Sequence, residues 1–130
     1  MSELKKILYA EDETDIQTIV ETIIQCIGGY EIKICNNGQE LLDCVENYLP
    51  DLILLDVMMP IMDGPTTFEH LQQSDTTMKI PVIFMTAKAQ VQEVQKFTET
   101  GALGVITKPF DPMLLCDEIK ELWNNKYIKS

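Results

Sequence analysis

The chain has 130 residues, an apolar fraction of 45% and a formal net charge of −11. This length and composition predict a single globular domain, spanning residues 1–130, with enough apolar surface for a proper core. The negative charge argues against nucleic acid as a direct partner, because phosphate backbones attract basic surfaces. No apolar run reaches transmembrane length and the amino terminus lacks the pattern of a signal peptide, so we expect no association with a membrane.

Five short apolar runs of the chain are typical of β-strands. They cover residues 7–10, 31–35, 52–56, 82–86 and 104–107. Stretches with helical spacing separate them, and this alternation predicts an α/β fold with a parallel sheet covered on both faces. Right-handed crossovers favour a doubly wound, flavodoxin-like sheet of five strands in the order 2-1-3-4-5, with five helices.

The first three predicted helices have recognisable beginnings and ends. The first follows Glu13 and stops at glycines 28–29. The second begins at residues 37–38 and stops before Pro50, and the third begins at residues 63–65, with a proline at its first position. The apolar residues predicted to face the core are Ile16, Ile19, Val20, Ile23, Ile24, Ile27, Leu41, Leu42, Val45, Leu49, Phe68 and Leu71.

Two more helices follow in the last third of the chain. The spacing predicts the fourth over residues 90–100, ended by Gly101. The fifth is predicted to start at Asp111 as its N-cap, followed by Pro112 at the first helical position. The residues predicted to face the core are Val91, Val94, Phe97, Leu115, Ile119 and Leu122.

The four cysteines show no C-x-x-C spacing of a zinc or thiol-redox site. Each lies in an apolar or helical stretch, which predicts small core residues in a reducing compartment, the cytoplasm. The methionines at 58, 59, 62 and 85 are likewise predicted to serve core and loop packing. The cysteines are Cys26, Cys35, Cys44 and Cys116.

Polar side chains close four of the predicted strands. Glu11 and Asp12 follow the first strand, Asp56 ends the third, Thr86 ends the fourth and Lys108 follows the fifth. The carboxyl ends of parallel strands meet at one edge of a sheet, where doubly wound folds bind their ligands. A buried carboxylate is costly unless it has a partner. Acids, a hydroxyl and an amine at one edge predict a site for a cation and a phosphoryl group.

With these motifs in this order, the chain resembles a receiver domain of bacterial two-component response regulators, of the chemotaxis type that consists of a single domain. The resemblance extends from about residue 4 to residue 127. It rests on Glu11-Asp12, Asp56, Met59-Pro60, Asp63-Gly64, Thr86-Ala87 and Lys108-Pro109-Phe110.

The resemblance implies that Asp56 is the phosphoacceptor, taking a phosphoryl group from a histidine kinase or phosphotransfer protein. Glu11, Asp12 and Asp56, with the backbone carbonyl of Met58, would hold Mg²⁺, which suits ligands that are all hard oxygens. The resemblance further implies a phosphoprotein that signals by conformational change to a downstream protein. It would not be an enzyme, apart from its own aspartyl phosphorylation and dephosphorylation. We expect a monomer or weak dimer.

Three other residues are implied to bind the phosphoryl group or respond to it. Thr86 would donate its hydroxyl and Ala87 its backbone N–H to phosphoryl oxygens, and Lys108 would pair with another. The same lysine is expected to pair with Asp56 before phosphorylation. The implied output surface comprises the fourth helix, the fifth strand and the fifth helix, and it includes Trp123 and Tyr127.

The chain departs from the family at its usual aromatic switch. Val105 occupies the position of the aromatic residue that commonly rotates inward, and valine has few rotamers. We therefore expect output to run through the loop after Thr86 and the fourth helix. The two positions expected to tune dephosphorylation are Met58 and Lys88. Neither offers a carboxylate or amide to orient water, so we expect slow self-dephosphorylation.

Three alternatives belong to other classes. A pseudo-receiver would bind partners without phosphorylation, against which the intact set of polar residues argues. A flavin-binding electron carrier of this architecture would need a phosphate-cradling loop where Glu11 and Asp12 stand. A phosphohydrolase with an aspartyl nucleophile would want a second acid two residues after Asp56, where Met58 stands.

Overall fold

Five strands and five helices alternate along the computed structural model, which describes residues 3–87 and 91–128. The strands are β1 (Lys6–Ala10), β2 (Glu31–Cys35), β3 (Leu52–Asp56), β4 (Val82–Thr86) and β5 (Gly104–Thr107). The helices are α1 (Thr14–Cys26), α2 (Gly38–Tyr48), α3 (Gly64–Gln72), α4 (Val91–Glu99) and α5 (Leu115–Ile128). All strand pairs are parallel, in the order β2-β1-β3-β4-β5, which confirms the predicted fold.

Each face of the sheet carries its own apolar core, because successive side chains of a strand point to opposite faces. On one face α1 and α5 pack against alternate strand residues. On the other face α2, α3 and α4 pack against the remaining ones. The first core includes Tyr9, Leu54, Ile83, Ile24, Ile119 and Trp123. The second includes Leu8, Leu55, Phe84, Leu41, Phe68 and Phe97.

The predicted core-facing surfaces of α1 and α2 include residues that are exposed in the structure. Ile19 is 47% exposed and lies on the solvent side of α1, because the sheet covers only a narrow stripe of that helix. Ile27 and Leu49 are 54% and 61% exposed, since each follows the last residue of its helix as the C-cap. The prediction that these three residues face the core is wrong. The other residues predicted inward on these helices are buried or partly buried.

The residues that cap α2 and α3 are as predicted, although α3 begins at Gly64, so Pro65 is its second residue and not its first. Asn37 Oδ1 accepts a hydrogen bond from the backbone N–H of Glu40 at 2.9 Å, and Asp63 Oδ1 accepts one from that of Thr66 at 2.9 Å. Each side chain satisfies a backbone donor that the first turn of a helix leaves unpaired. Both loops at this end of the sheet therefore end in fixed positions.

The prediction for the beginning of α5 is wrong, because the helix starts at Leu115 and not directly after Asp111. Asp111 Oδ1 accepts from the backbone N–H of Met113 at 2.9 Å. The carbonyl oxygen of Asp111 accepts from Leu114 N–H at 2.9 Å, which closes a turn in front of the helix. An Asp-Pro pair suits a turn as well as it suits a helix start.

Two predictions of core residues also fail. All four cysteines are free, but Cys26 is exposed whereas Cys35 and Cys116 are buried and Cys44 is partly buried. Met58 is 78% exposed, so its side chain is not part of the core. Positions 88 and 90, and the side chain at 127, lie outside the described residues. Within the part of the chain that the structure describes, no helix is both long and apolar enough to cross a lipid bilayer.

Candidate functional site

The predicted site residues meet at the carboxyl edge of the sheet. β1 and β3 are neighbours, as are β3 and β4 and then β4 and β5. Glu11 follows β1, Asp56 ends β3, Thr86 ends β4, and Lys108 stands one residue after β5. The sheet order thus brings together residues that are up to 97 positions apart in the sequence.

Three carboxylates form an acid cluster at this edge. One carboxylate oxygen from each of Glu11, Asp12 and Asp56 lies within 4.8 Å of the others. Glu11 is fully buried and Asp56 is only 5% exposed, whereas Asp12 is exposed. The cluster is therefore set into the protein but open to solvent on one side, so an ion can enter from water.

Lys108 neutralises part of this negative charge. Its Nζ lies 2.8 Å from Asp56 Oδ1 and 2.6 Å from Glu11 Oε1, distances typical of charge-assisted hydrogen bonds. The contact with Asp56 agrees with the predicted pairing. The contact with Glu11 was not predicted, and it makes the lysine a bridge between the two buried acids.

Tyr9 also belongs to the site, although its role was not predicted from the sequence. Its hydroxyl donates to Glu11 Oε1 at 3.2 Å, and the backbone N–H of Glu13 donates to Glu11 Oε2 at 3.3 Å. Residues two apart near a strand point the same way, so the spacing of Tyr9 and Glu11 carried the signal. Donors on both oxygens hold the Glu11 carboxylate in one orientation.

Burial and crowding of like charges shift the acid–base behaviour of the site. Burial, together with the neighbouring Glu11 carboxylate, raises the pKa of Asp56 to about 6, although Lys108 acts in the opposite direction. For Lys108 burial favours the neutral amine, but hydrogen bonds to Asp56 and Glu11 outweigh it and raise the pKa. Burial and the nearby Glu11 charge raise the pKa of Tyr9, which stays a hydrogen-bond donor.

The remaining predicted residues surround this charged centre. Thr86 is buried, and its carbonyl oxygen accepts from the backbone N–H of Lys108 at 2.8 Å. Ala87 lines a cavity of about 340 Å³ together with Lys108. Met58, Thr86 and Ala87 all line a larger cleft of about 910 Å³ between α3 and α4. The two loops that follow β3 and β4 thus border one opening.

Gly64 brings the loop after β3 back onto the site. Its backbone N–H donates to the carbonyl oxygen of Val57 at 3.0 Å. A Cβ at this position would lie 2.4 Å from the carbonyl oxygen of Asp56, far inside van der Waals contact. Only glycine allows this approach, which fixes the backbone on both sides of the candidate nucleophile.

The ligands that the cluster offers suit a hard divalent cation. The three side chains present only carboxylate oxygens, which Mg²⁺ and Ca²⁺ prefer over softer ligands. Two of the acids are buried and carry excess negative charge that a single ammonium group does not balance. The residues present therefore fit the magnesium ion that the sequence predicts.

Comparisons with known proteins identify the family. Residues 7–120 match the family model of the response regulator receiver domain. Over 94 residues the chain is 42% identical to the "Probable transcriptional regulator ycf29" of Porphyra purpurea, a match covering 72% of this chain and 45% of that protein. Over 118 residues it is 34% identical to the alkaline phosphatase synthesis transcriptional regulatory protein PhoP of Bacillus subtilis, covering 91% of this chain and 48% of that protein.

A solved structure shows the same likeness in three dimensions. The chemotaxis response regulator CheY4 of Vibrio cholerae superposes with a TM-score of 0.84 at 26% identity, covering 92% of this chain and 99% of that chain. The chain belongs to the response regulator receiver domain family. Receiver domains are signalling modules that use Mg²⁺ at an acidic site and act with histidine kinases and effectors. The chain spans about half the length of the two curated relatives described above.

Proposed function

We propose that Asp56 is the phosphoacceptor of this receiver domain. The observation that carries the proposal is that Asp56 is a buried carboxylate with a lysine ammonium at 2.8 Å and two further acids within 4.8 Å. A carboxylate oxygen of Asp56 attacks the phosphorus of a phosphohistidine on the donor. The bond from phosphorus to the imidazole nitrogen breaks, and an acyl phosphate forms on Asp56. Water later hydrolyses it.

Four oxygen ligands would hold Mg²⁺ at the acid cluster. Glu11, Asp12 and Asp56 each offer one carboxylate oxygen, and the backbone carbonyl of Met58 would be a fourth ligand. When bound, the ion reduces the repulsion between the Asp56 carboxylate and the anionic phosphoryl group. Tyr9 and the Glu13 amide keep Glu11 oriented for this role.

Lys108, Thr86 and Ala87 would stabilise the phosphorylated state. Lys108 already contacts Asp56, and a small movement of its flexible side chain carries it onto a phosphoryl oxygen. The Thr86 hydroxyl and the Ala87 backbone N–H would donate to the other oxygens. These groups assist only transfer to and from Asp56, so we propose no enzymatic activity on an external substrate.

Two packed aromatic rings support the expected route of the signal. Phe84 lies two residues before Thr86, and its ring centroid is 4.6 Å from that of Phe97 on α4. Val105 on β5 packs against the same core and has little freedom to rotate. Movement of Thr86 toward a phosphoryl group would therefore displace Phe84, and the contact of Phe84 with Phe97 would transmit this displacement to α4.

Amide NMR with and without beryllofluoride, a phosphoryl mimic, tests this route. We expect shifts from Thr86 through α4 with β5 little changed. Shifts confined to the acid cluster would contradict it. The variant Phe97→Leu removes the ring contact with Phe84, so the amide shift changes should no longer extend through α4. Phe110 lies outside this pair of rings, so Phe110→Leu should leave the shift changes in α4 as they are.

We further propose that residues 1–130 form one receiver domain that passes its signal by protein contact. It would act as a monomer or weak dimer in the bacterial cytoplasm, without binding nucleic acid. Trp123 is only 6% exposed and packs in the core, so it supports α5 and is not an anchor for the partner. Met58 is exposed and carries no group to orient water, consistent with slow dephosphorylation.

Incubation with acetyl phosphate and Mg²⁺, followed by intact mass measurement, tests the function. We expect an increase of about 80 Da in the wild-type protein, lost in Asp56→Asn and in the presence of EDTA. The matched variant Asp51→Asn removes an acid that caps the β1 backbone at the opposite end of the sheet, and should still be modified. An unmodified wild-type protein would favour the pseudo-receiver.

A further inference from the structure

Cys35 and Cys44 form a close pair of thiols on the side of the sheet opposite to α5. Cys35 is the last residue of β2, and Cys44 lies on α2, the helix that follows. Their Sγ atoms are 3.5 Å apart, and both thiols are free. The sulfurs need to approach by about 1.5 Å to reach the bond length of a disulfide.

The two thiols differ in their access to solvent. Cys35 is 3% exposed, whereas Cys44 is only partly buried and remains accessible in part to solvent. Because Cys35 is almost fully buried, an oxidant dissolved in water does not reach its sulfur directly. Cys44 is the sulfur that an oxidant reaches first, with Cys35 placed to resolve the product.

Cys35 also contacts the acid cluster through its backbone. Its carbonyl oxygen accepts a hydrogen bond from the backbone N–H of Glu11 at 3.0 Å. At the start of α2, Gly38 N–H donates to the carbonyl oxygen of Met62, in the loop that follows Asp56, at 3.3 Å. Drawing α2 toward the end of β2 therefore disturbs two backbone contacts that position the site.

We propose that Cys35 and Cys44 form a reversible disulfide that weakens cation binding at the acid cluster. A peroxide oxidises the Cys44 thiol to a sulfenic acid and is itself reduced to an alcohol or water. The Cys35 thiol then attacks the Cys44 sulfur, the sulfur–sulfur bond forms and water leaves. A dithiol reductant reverses the step by thiol–disulfide exchange.

The covalent step is tested on the full chain, treated with hydrogen peroxide and analysed without reductant. We expect a loss of two hydrogen atoms, about 2 Da, restored by dithiothreitol. A protease that cuts after glutamate separates the cysteines at Glu40, so a linked pair of peptides identifies the bond. Cys35→Ser and Cys44→Ser should abolish the link, whereas Cys26→Ser should keep it. A link that survives in Cys44→Ser, or no mass loss in the wild type, overturns the proposal.

The effect on the site is tested by calorimetric titration of Mg²⁺ into oxidised and reduced protein. Disturbing the groups that orient metal ligands typically costs about tenfold or more in affinity, so we expect about tenfold weaker binding after oxidation. The oxidised Cys44→Ser variant should bind as the reduced wild type does. Equal affinity in both wild-type states overturns the coupling. This part rests on the proposed function: reduced protein that binds no Mg²⁺ would contradict that function, whereas a missing disulfide contradicts only the inference.

Discussion

Replacing Asp56 by asparagine should stabilise the metal-free protein. Asp56 is buried beside Glu11, and these two effects raise its pKa from 3.8 to about 6 even with Lys108 in contact. A carboxyl group with a raised pKa in the folded state destabilises that state once it ionises. Asparagine has nearly the same shape but no charge, and Lys108 keeps its contact with Glu11.

The size of this gain in the free energy of unfolding follows from the pKa shift of Asp56. A change from 3.8 to about 6 is roughly two pH units, and each unit corresponds to about 1.4 kcal/mol. The full conversion gives about 3 kcal/mol as an upper limit. We expect about 2 kcal/mol, since the acid cluster is open to solvent on the side of Asp12, where water moderates the charge. For a domain of this length that raises Tm by about 7 °C.

The stability difference between Asp56→Asn and the wild type depends on pH, in a direction set by the raised pKa of Asp56. Below about pH 4 the Asp56 carboxyl is protonated in both the folded and unfolded states, so the variant gains nothing. Between 3.8 and about 6 the unfolded state loses its proton first, and wild-type stability falls relative to the variant. Above about pH 6 the difference is complete.

Thermal unfolding in EDTA at about pH 7 and about pH 4 measures this difference. Asp12→Asn is the matched control, because Asp12 belongs to the same cluster but is exposed and should give less than half the gain. Added Mg²⁺ should stabilise the wild type and narrow the gap. No gain for Asp56→Asn at about pH 7, or an equal gain at both pH values, would refute the claim that the ionised Asp56 carboxylate destabilises the folded protein.

Two further substitutions test the packing of the site. Lys108→Met leaves Glu11 and Asp56 facing each other without a counter-charge, and should lower the free energy of unfolding by about 3 kcal/mol in urea denaturation. Added Mg²⁺ should recover part of this loss, and an unchanged midpoint would contradict the bridging role. Gly64→Ala places a methyl group 2.4 Å from a backbone oxygen and should cost about 3 kcal/mol. Its control, Gly29→Ala, has open space but φ +72° and should cost about 1 kcal/mol; equal losses would show that the close approach is unimportant.

The sheet and the strand-end residues were accessible from the sequence because both depend on chain order. Buried parallel strands appear as apolar runs, and each polar residue that closes a run must lie at the carboxyl edge. The order of the strands then decides which of these residues meet. Asp56, Thr86 and Lys108 could therefore be placed together without any knowledge of side-chain positions.

Side-chain directions and helix boundaries were not accessible in the same way. The contact of Lys108 with Glu11 depends on how a long, flexible side chain settles between two acids. The hydroxyl of Tyr9 lies inside a strand that looks wholly apolar in the sequence. Asp111 suits a turn and a helix start equally well, and only packing of the following residues places the start at Leu115.

The most direct test of the central claim is to locate the phosphoryl group. Borohydride reduces an aspartyl phosphate to homoserine, so protein phosphorylated with acetyl phosphate and Mg²⁺ can be reduced, digested and sequenced by mass spectrometry. The account predicts homoserine at position 56 alone, and none without Mg²⁺. Homoserine at Asp12 or at another acid, or its formation at position 56 in EDTA to the same extent, would contradict the account.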